Sequence, residues 1–333
     1  MLHNFSSRIF GADSQAGNRR AAVPNRVPRE LTVSVTTGIA ELRPRLGRVG
    51  IFLPPPERIG VDPAATAAAV ERAGFTSLWV GGGNATDGAL EERRSQLAAT
   101  GNLIVATGIA SIWAWEPGQL RAAAERLDSE FPGRFILGLG VSHAPAVAAM
   151  GHVYERPLQK MEKFLDELDH PAFHGGERQL PPIVLAALGP KMLGLARDQA
   201  LGSHPYFTTP EHTRFAREVL GPEPLLVPEV AVTLASDAAA REVARDYAAR
   251  YVRLPNYTRN LERFGFGPAD FANGGSDQLI SAVIPAGTAA VVGAVREHLA
   301  AGADHVVIQP LGDAAFTDGA LGELASVVAE FMG

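Results

Sequence analysis

Residues 102–117, NLIVATGIASIWAWEP, hold the chemistry-bearing pattern that stands out most in this chain. Leu103 to Ala106 form an apolar, β-branched run of the kind found in strands buried on both faces. The run meets Thr107-Gly108-Ile109, and helical sequence resumes only after Glu116-Pro117. A glycine at a strand exit, followed by Ser111, Trp113 and Trp115, fits bare backbone approached by a flat ligand. It fits a core strand followed by two packing tryptophans equally well. A second candidate is Ala187-Leu188-Gly189-Pro190, which opens a helix. The free amides of a helix's first turn can hold a phosphate or another anion, with Lys191 alongside, and a plain strand-to-helix turn reads the same way.

These segments sit in a regular alternation that begins at Gly47. Strand-like runs fall at 49–53, 76–80, 103–109, 135–139, 183–187, 204–207, 226–234 and 305–308, with helical sequence between them. Asp62-Pro63 and Thr209-Pro210-Glu211 are cap-plus-proline helix starts. Eight β–α alternations predict an α/β chain folded as a (β/α)8 TIM barrel; a doubly wound open sheet is the alternative, since periodicity does not show closure. Extra length falls at 144–159, after the fourth strand, and at 237–287, an insertion between strands 7 and 8. The opening segment lacks apolar periodicity and carries seven basic against three acidic residues through position 45. Residues 1–41 therefore read as a disordered or over-called extension, and 42–333 as a single domain.

Composition narrows the function. The 333 residues include no cysteine, which excludes disulfides and thiolate chemistry, and 46% are hydrophobic, enough for a large core. The net charge of −6 argues against nucleic-acid or membrane-surface partners, and no apolar run approaches the ~20 residues of a membrane span. In a barrel the active site lies at the strands' C-terminal ends. There the sequence places Phe52, Gly81, Gly82, Gly83, Gly108, Ile109, Ser111, Gly140, Ser142, His143, Ala187, Leu188, Gly189, Tyr206, Thr208 and Gln309. The set has one imidazole, no carboxylate and no lysine, so no metal site is expected. A large, flat, mostly apolar ligand suits it better than a small charged one.

Three motifs, Val105-Ala106-Thr107-Gly108-Ile109, Gly138-Leu139-Gly140-Val141-Ser142-His143 and Ala186-Ala187-Leu188-Gly189-Pro190-Lys191, occur in order. With Tyr154-Glu155-Arg156-Pro157 and His204-Pro205-Tyr206-Phe207 they make the chain resemble the luciferase-like oxidoreductases from about residue 42 onward. The branch that uses coenzyme F420, a deazaflavin, is the nearest match. The resemblance implies a cis peptide between Gly108 and Ile109 under the cofactor ring. It implies cofactor contacts from Gly81, Gly82, Thr107, Gly108, Ile109, Gly140, Val141 and Ser142, with the tail anion held at Ala187, Leu188, Gly189 and Pro190. His204 would line the tail site or be a satisfied core histidine.

His143 falls where relatives often place an acid near the reacting carbon, so it is the candidate catalytic acid or base, or else a helix-capping or merely packed histidine. Relatives that oxidise sugar phosphates carry Asp-His after strand 2, where this chain has Gly82-Gly83. The resemblance therefore implies reduction of an activated double bond or carbonyl rather than sugar-phosphate oxidation. FMN, in a monooxygenase, is the alternative cofactor, and a non-catalytic flavin-binding protein is the alternative of another class. A small-molecule substrate, a homodimer and a cytoplasmic location complete the expectation. Trp113, Trp115, Tyr154 and Tyr257 would line a substrate pocket or simply pack.

Overall fold

Val49–Leu53 (β1) is buried at every position, because its alternate side chains meet a helix layer outside and a barrel core inside. The computed structural model describes residues 31–54, 60–82, 89–169, 180–312 and 317–332. The further strands are β2 (Ser77–Val80), β3 (Ile104–Thr107), β4 (Ala110–Ser111), β5 (Phe135–Gly140) and β6 (Ile183–Leu185). After them come β7 (Gly202–Ser203), β8 (Leu225–Leu226), β9 (Glu229–Val232) and β10 (Val306–Pro310). All pair in parallel, in the order β8-β7-β6-β5-β3-β2-β1-β10-β9, with β4 also on β5. The two ends of that order, β8 and β9, are one chain segment separated only by Val227-Pro228, so the sheet curls into a TIM-type barrel.

Two expected strands are corrected. The sixth is Gly202–Ser203 rather than 204–207, and Tyr206 keeps only a bridge to Glu229. The seventh, expected as 226–234, is split in two: β8 pairs with β7, whereas β9 pairs with β10. Pro228 has no amide to give the ladder at the switch, while its carbonyl still accepts from Val307 N at 2.9 Å.

The helices between strands are α1 (Leu31–Leu46), α2 (Pro63–Arg72), α3 (Ala89–Ala98), α4 (Pro117–Glu130), α5 (Ala144–Ala149), α6 (Pro157–Leu168), α7 (Pro190–Gln199) and α8 (Pro210–Leu220). The insertion holds α9 (Ala238–Tyr251), α10 (Pro255–Glu262), α11 (Pro268–Phe271) and α12 (Asp277–Val283), and α13 (Thr288–Ala300) and α14 (Asp318–Val327) follow. Asp62 caps α2 through the amides of Ala64 and Ala65, both at 3.3 Å. Thr209, expected to cap α8, makes no side-chain cap bond.

The expected domain start at residue 42 falls inside α1. Ile39, Leu42 and Leu46 of that helix are buried with Phe52, Trp79 and Val307 of the barrel interior. Arg43 pairs with Asp304 at 3.0 Å, just before β10, so α1 covers the N-terminal end of the barrel. Inside, His305 Nδ1 donates to Gly47 O at 3.0 Å, while its Nε2 lies 2.8 Å from Ser77 Oγ. Among the described residues, no helix is long and apolar enough to cross a membrane.

Candidate active site

The floor of the barrel's C-terminal mouth is the exit of β3. The Gly108–Ile109 peptide is cis, as the resemblance implied. Gly108 N donates to Val80 O at 2.8 Å, and the chain then rejoins the sheet as β4 against β5. Ile109 is seated between two glycines. A Cβ on Gly140 would lie 2.5 Å from Ile109 Cδ1, and one on Gly82 would lie 2.4 Å from Ile109 O. These two glycines thus make room for the bulge itself. Thr107 is also turned to structure: its buried hydroxyl donates to Gly138 O and accepts from Gly138 N, both at 2.8 Å. It locks the strand exit, its one O–H being spent on Gly138 O.

The walls come from three loops. His143 sits at the N-terminal end of α5 without capping it, so the capping alternative is set aside. Its Nδ1 is buried with no partner among the described residues, its ring lies 5.4 Å from that of Tyr257, and burial lowers its pKa from 6.5. The imidazole is accordingly neutral near pH 7. Ser142 adopts a left-handed φ of 55°, and Val141 O accepts from Trp113 Nε1 at 2.9 Å. Trp113 faces Tyr154 at 6.0 Å, with Lys160 5.3 Å above its ring. Gly81 is half-buried, and Gly83 lies outside the described residues.

At the neighbouring strand exit, after β6, Gly189 begins α7 with no side-chain cap, leaving the first-turn amides open. His212 donates Nε2 to Leu188 O at 2.9 Å, and Arg263 of the insertion would be 3.4 Å from a Cβ on Gly189. Ala187 is buried, whereas Lys191 is exposed.

His204 is not at that helix end. It is buried beside the bulge, where a Cβ on Gly108 would lie 3.2 Å from its Nε2 and 3.2 Å from Phe52 Cε2. Its ring stacks on Trp79 at 4.4 Å, its Nδ1 donates to Val227 O at 2.8 Å, and its Nε2 is 3.1 Å from Glu229 Oε2. Glu229 corrects the expectation of a mouth without carboxylates. It is 5% exposed; burial pushes its pKa up and His204 opposes that rise. The signal was present as a lone acid within the apolar stretch 225–234, since unpaired acids are almost never buried.

Tyrosines close the mouth on this side. The Tyr206 and Tyr247 hydroxyls are hydrogen-bond neighbours, and each lies 2.9 Å from Gln309 Oε1. Tyr247 and Tyr251 hydroxyls are 3.1 Å apart, and Tyr257 packs edge-on to Tyr251 at 5.2 Å. Burial raises the pKa of Tyr206 and Tyr257 well above 10. The sequence reading placed Tyr206, Tyr257 and Gln309 near the mouth but not Tyr247 and Tyr251, whose positions depend on how the insertion folds back. A separate hollow of about 340 Å³, lined by Thr209, Glu211, Val230 and Glu297, lies on the outer face of β9 and borders none of the glycine floor. Among the described residues no group of three or more His, Asp or Glu side chains is placed to hold a metal.

The fold recurs in solved structures of low sequence identity. The F420-dependent tetrahydromethanopterin reductase of Methanopyrus kandleri matches at TM-score 0.68 and 18% identity, over 86% of this chain and 99% of that one. An F420-dependent secondary alcohol dehydrogenase matches at TM-score 0.59 and 16% identity, over 85% and 98%. The FMN-bound oxygenating constituent of 3,6-diketocamphane monooxygenase from Pseudomonas putida matches at 0.62 and 14%, over 86% and 98%. No curated protein matches the sequence. The luciferase-like monooxygenase family model matches residues 62–300, well over half of the chain, and the chain belongs to that family.

Proposed function

We propose that this chain is a hydride-transferring oxidoreductase that takes the deazaflavin coenzyme F420 in the barrel mouth and reduces an activated double bond or carbonyl. The observation that carries the reading is the floor at Gly108–Ile109. It is bare backbone at Gly108, levelled by Gly82 and Gly140, and faced by aromatic and aliphatic walls. The residues present fit such a group: a flat ring suits the glycine floor, and the uncapped start of α7 at Ala187, Leu188, Gly189 and Pro190 suits an anionic tail. Val141 and Ser142 would lie along the ring edge and chain. When bound, the reduced cofactor supplies a hydride. His143 holds or moves a proton near the substrate's heteroatom, its Nδ1 having no partner among the described residues.

Gly82 in place of an acid-histidine pair favours reduction over alcohol oxidation. FMN in a monooxygenase is the second reading, favoured by the family's own description. A homodimer is part of the proposal. Fluorescence titration of the purified protein with each cofactor tests the reading, and tight FMN binding without deazaflavin binding overturns it. A protein that binds reduced coenzyme F420 but is inert toward enones, imines and ketones would be a binding protein instead. Turnover unchanged in His143→Ala would remove that residue from the chemistry.

A further inference from the structure

His204 and Glu229 form a buried pair that the proposed chemistry leaves unused. Val227 O can only accept, so His204 Nδ1 carries a hydrogen. Between His204 Nε2 and Glu229 Oε2, 3.1 Å apart, one proton must then lie, whether it is drawn on the imidazole or on the carboxyl. The Trp79 ring stacked on His204 prevents the imidazole from turning away. The other carboxyl oxygen of Glu229 has no hydrogen-bond partner among the described residues, and Glu229 retains 5% exposure.

Among the described residues His204 acts on Glu229, and Glu229 in turn acts on Tyr206 and on Tyr247, Tyr251 and Tyr257 of the insertion; no lysine or arginine is among them. With no permanent cation beside it among the described residues, a bare carboxylate would be costly at that depth. The pair also touches the floor: His204 Nε2 would be 3.2 Å from a Cβ on Gly108, which is where the proposed ring lies.

We propose that His204 and Glu229 hold one exchangeable proton at the floor of the mouth, and that Glu229 is a second acid that protonates the reduced substrate. The inference rests on the hydride-transfer reading. As the hydride and its electron pair reach the substrate carbon, the π pair of the double bond moves to the oxygen. The Glu229 O–H bond breaks, its proton joins that oxygen, and its electrons remain on the carboxylate. The carboxylate then regains a proton from water at the mouth.

Carboxyl carbon NMR of glutamate-labelled protein, as a function of pH, tests the pair without turnover. One resonance, absent from Glu229→Gln, should titrate above the ordinary glutamate value of about 4.3, because burial disfavours the carboxylate. It should shift when coenzyme F420 or FMN binds. If Glu229→Gln does not fold, Glu229→Asp removes the same signal from the glutamate spectrum. A resonance titrating near the ordinary value, or one unmoved by a cofactor that does bind, overturns the proposal. If neither cofactor binds, the function reading fails, while the titration of the free protein still decides the pair. With reduced coenzyme F420 and 2-cyclohexen-1-one, Glu229→Gln should bind cofactor normally but reoxidise it about 100-fold more slowly. An unchanged rate overturns the catalytic role.

Discussion

Adding a methyl group at Gly140 should collide with the floor of the mouth and with little else. The new Cβ would lie 2.5 Å from Ile109 Cδ1 and 2.6 Å from Cγ1, against 3.3 Å from Ala186 Cβ. Comfortable carbon contacts are about 3.5–4.0 Å, so each Ile109 contact is short by about 1 Å. Ile109 has little room to yield, because Gly82 and Gly138 already bring backbone and side-chain neighbours against it. Overpacking of this kind costs about 1–3 kcal/mol. Truncating Ile109 removes the colliding atoms, so Gly140→Ala in an Ile109→Ala background should cost no more than about 0.5 kcal/mol. The coupling in the double-mutant cycle is then about 1–3 kcal/mol, measured by urea unfolding of the four proteins. Additivity within about 0.5 kcal/mol would refute the claim that Gly140 exists to seat Ile109.

Other outcomes follow from the same structure. A chain beginning at residue 42 should be less stable than one beginning at 31, because Ile39 leaves the barrel interior and the helix holding Leu42 and Leu46 is cut. Leu42→Ala alone should cost about 2–5 kcal/mol in urea unfolding; equal stability of the two chains would contradict α1 as a cover. Burial lowers the pKa of His305 to about 3, and of His212 and His298 to about 4. The unfolded chain therefore binds more protons than the folded one below about pH 6.5, and stability should fall as pH drops through that window. His305→Asn should flatten the slope of stability against pH measured between about pH 6.5 and 4.

The periodic parts of the fold were readable because each strand, buried on both faces, is a short apolar run between turn signals. The break in the seventh strand was not, although Pro228 was visible. Whether a proline ends a strand or passes it from one neighbour to another depends on where the neighbours are. Helix α1 escaped notice because only one face of it is covered, at positions 39, 42 and 46, and its preceding residues show no matching pattern. The floor of the site was legible at Gly108-Ile109, since a glycine at a strand exit is a local signal. The roles of Thr107 and Gly140 were not, because their partners, Gly138 and Ile109, belong to a neighbouring strand in each case. Glu229 went unremarked because the strand around it reads as core, and the insertion's tyrosines become neighbours of the mouth only once helices α9 and α10 fold over it.

Binding of the oxidised cofactors to the purified chain, followed by fluorescence, tests the central claim most directly. The account predicts saturable binding of coenzyme F420 at one site per chain, at least about tenfold (1.4 kcal/mol) tighter than FMN. It also predicts that Gly140→Ala weakens that binding by disturbing Ile109. Tight binding of FMN with none of the deazaflavin, or no binding of either, would contradict it.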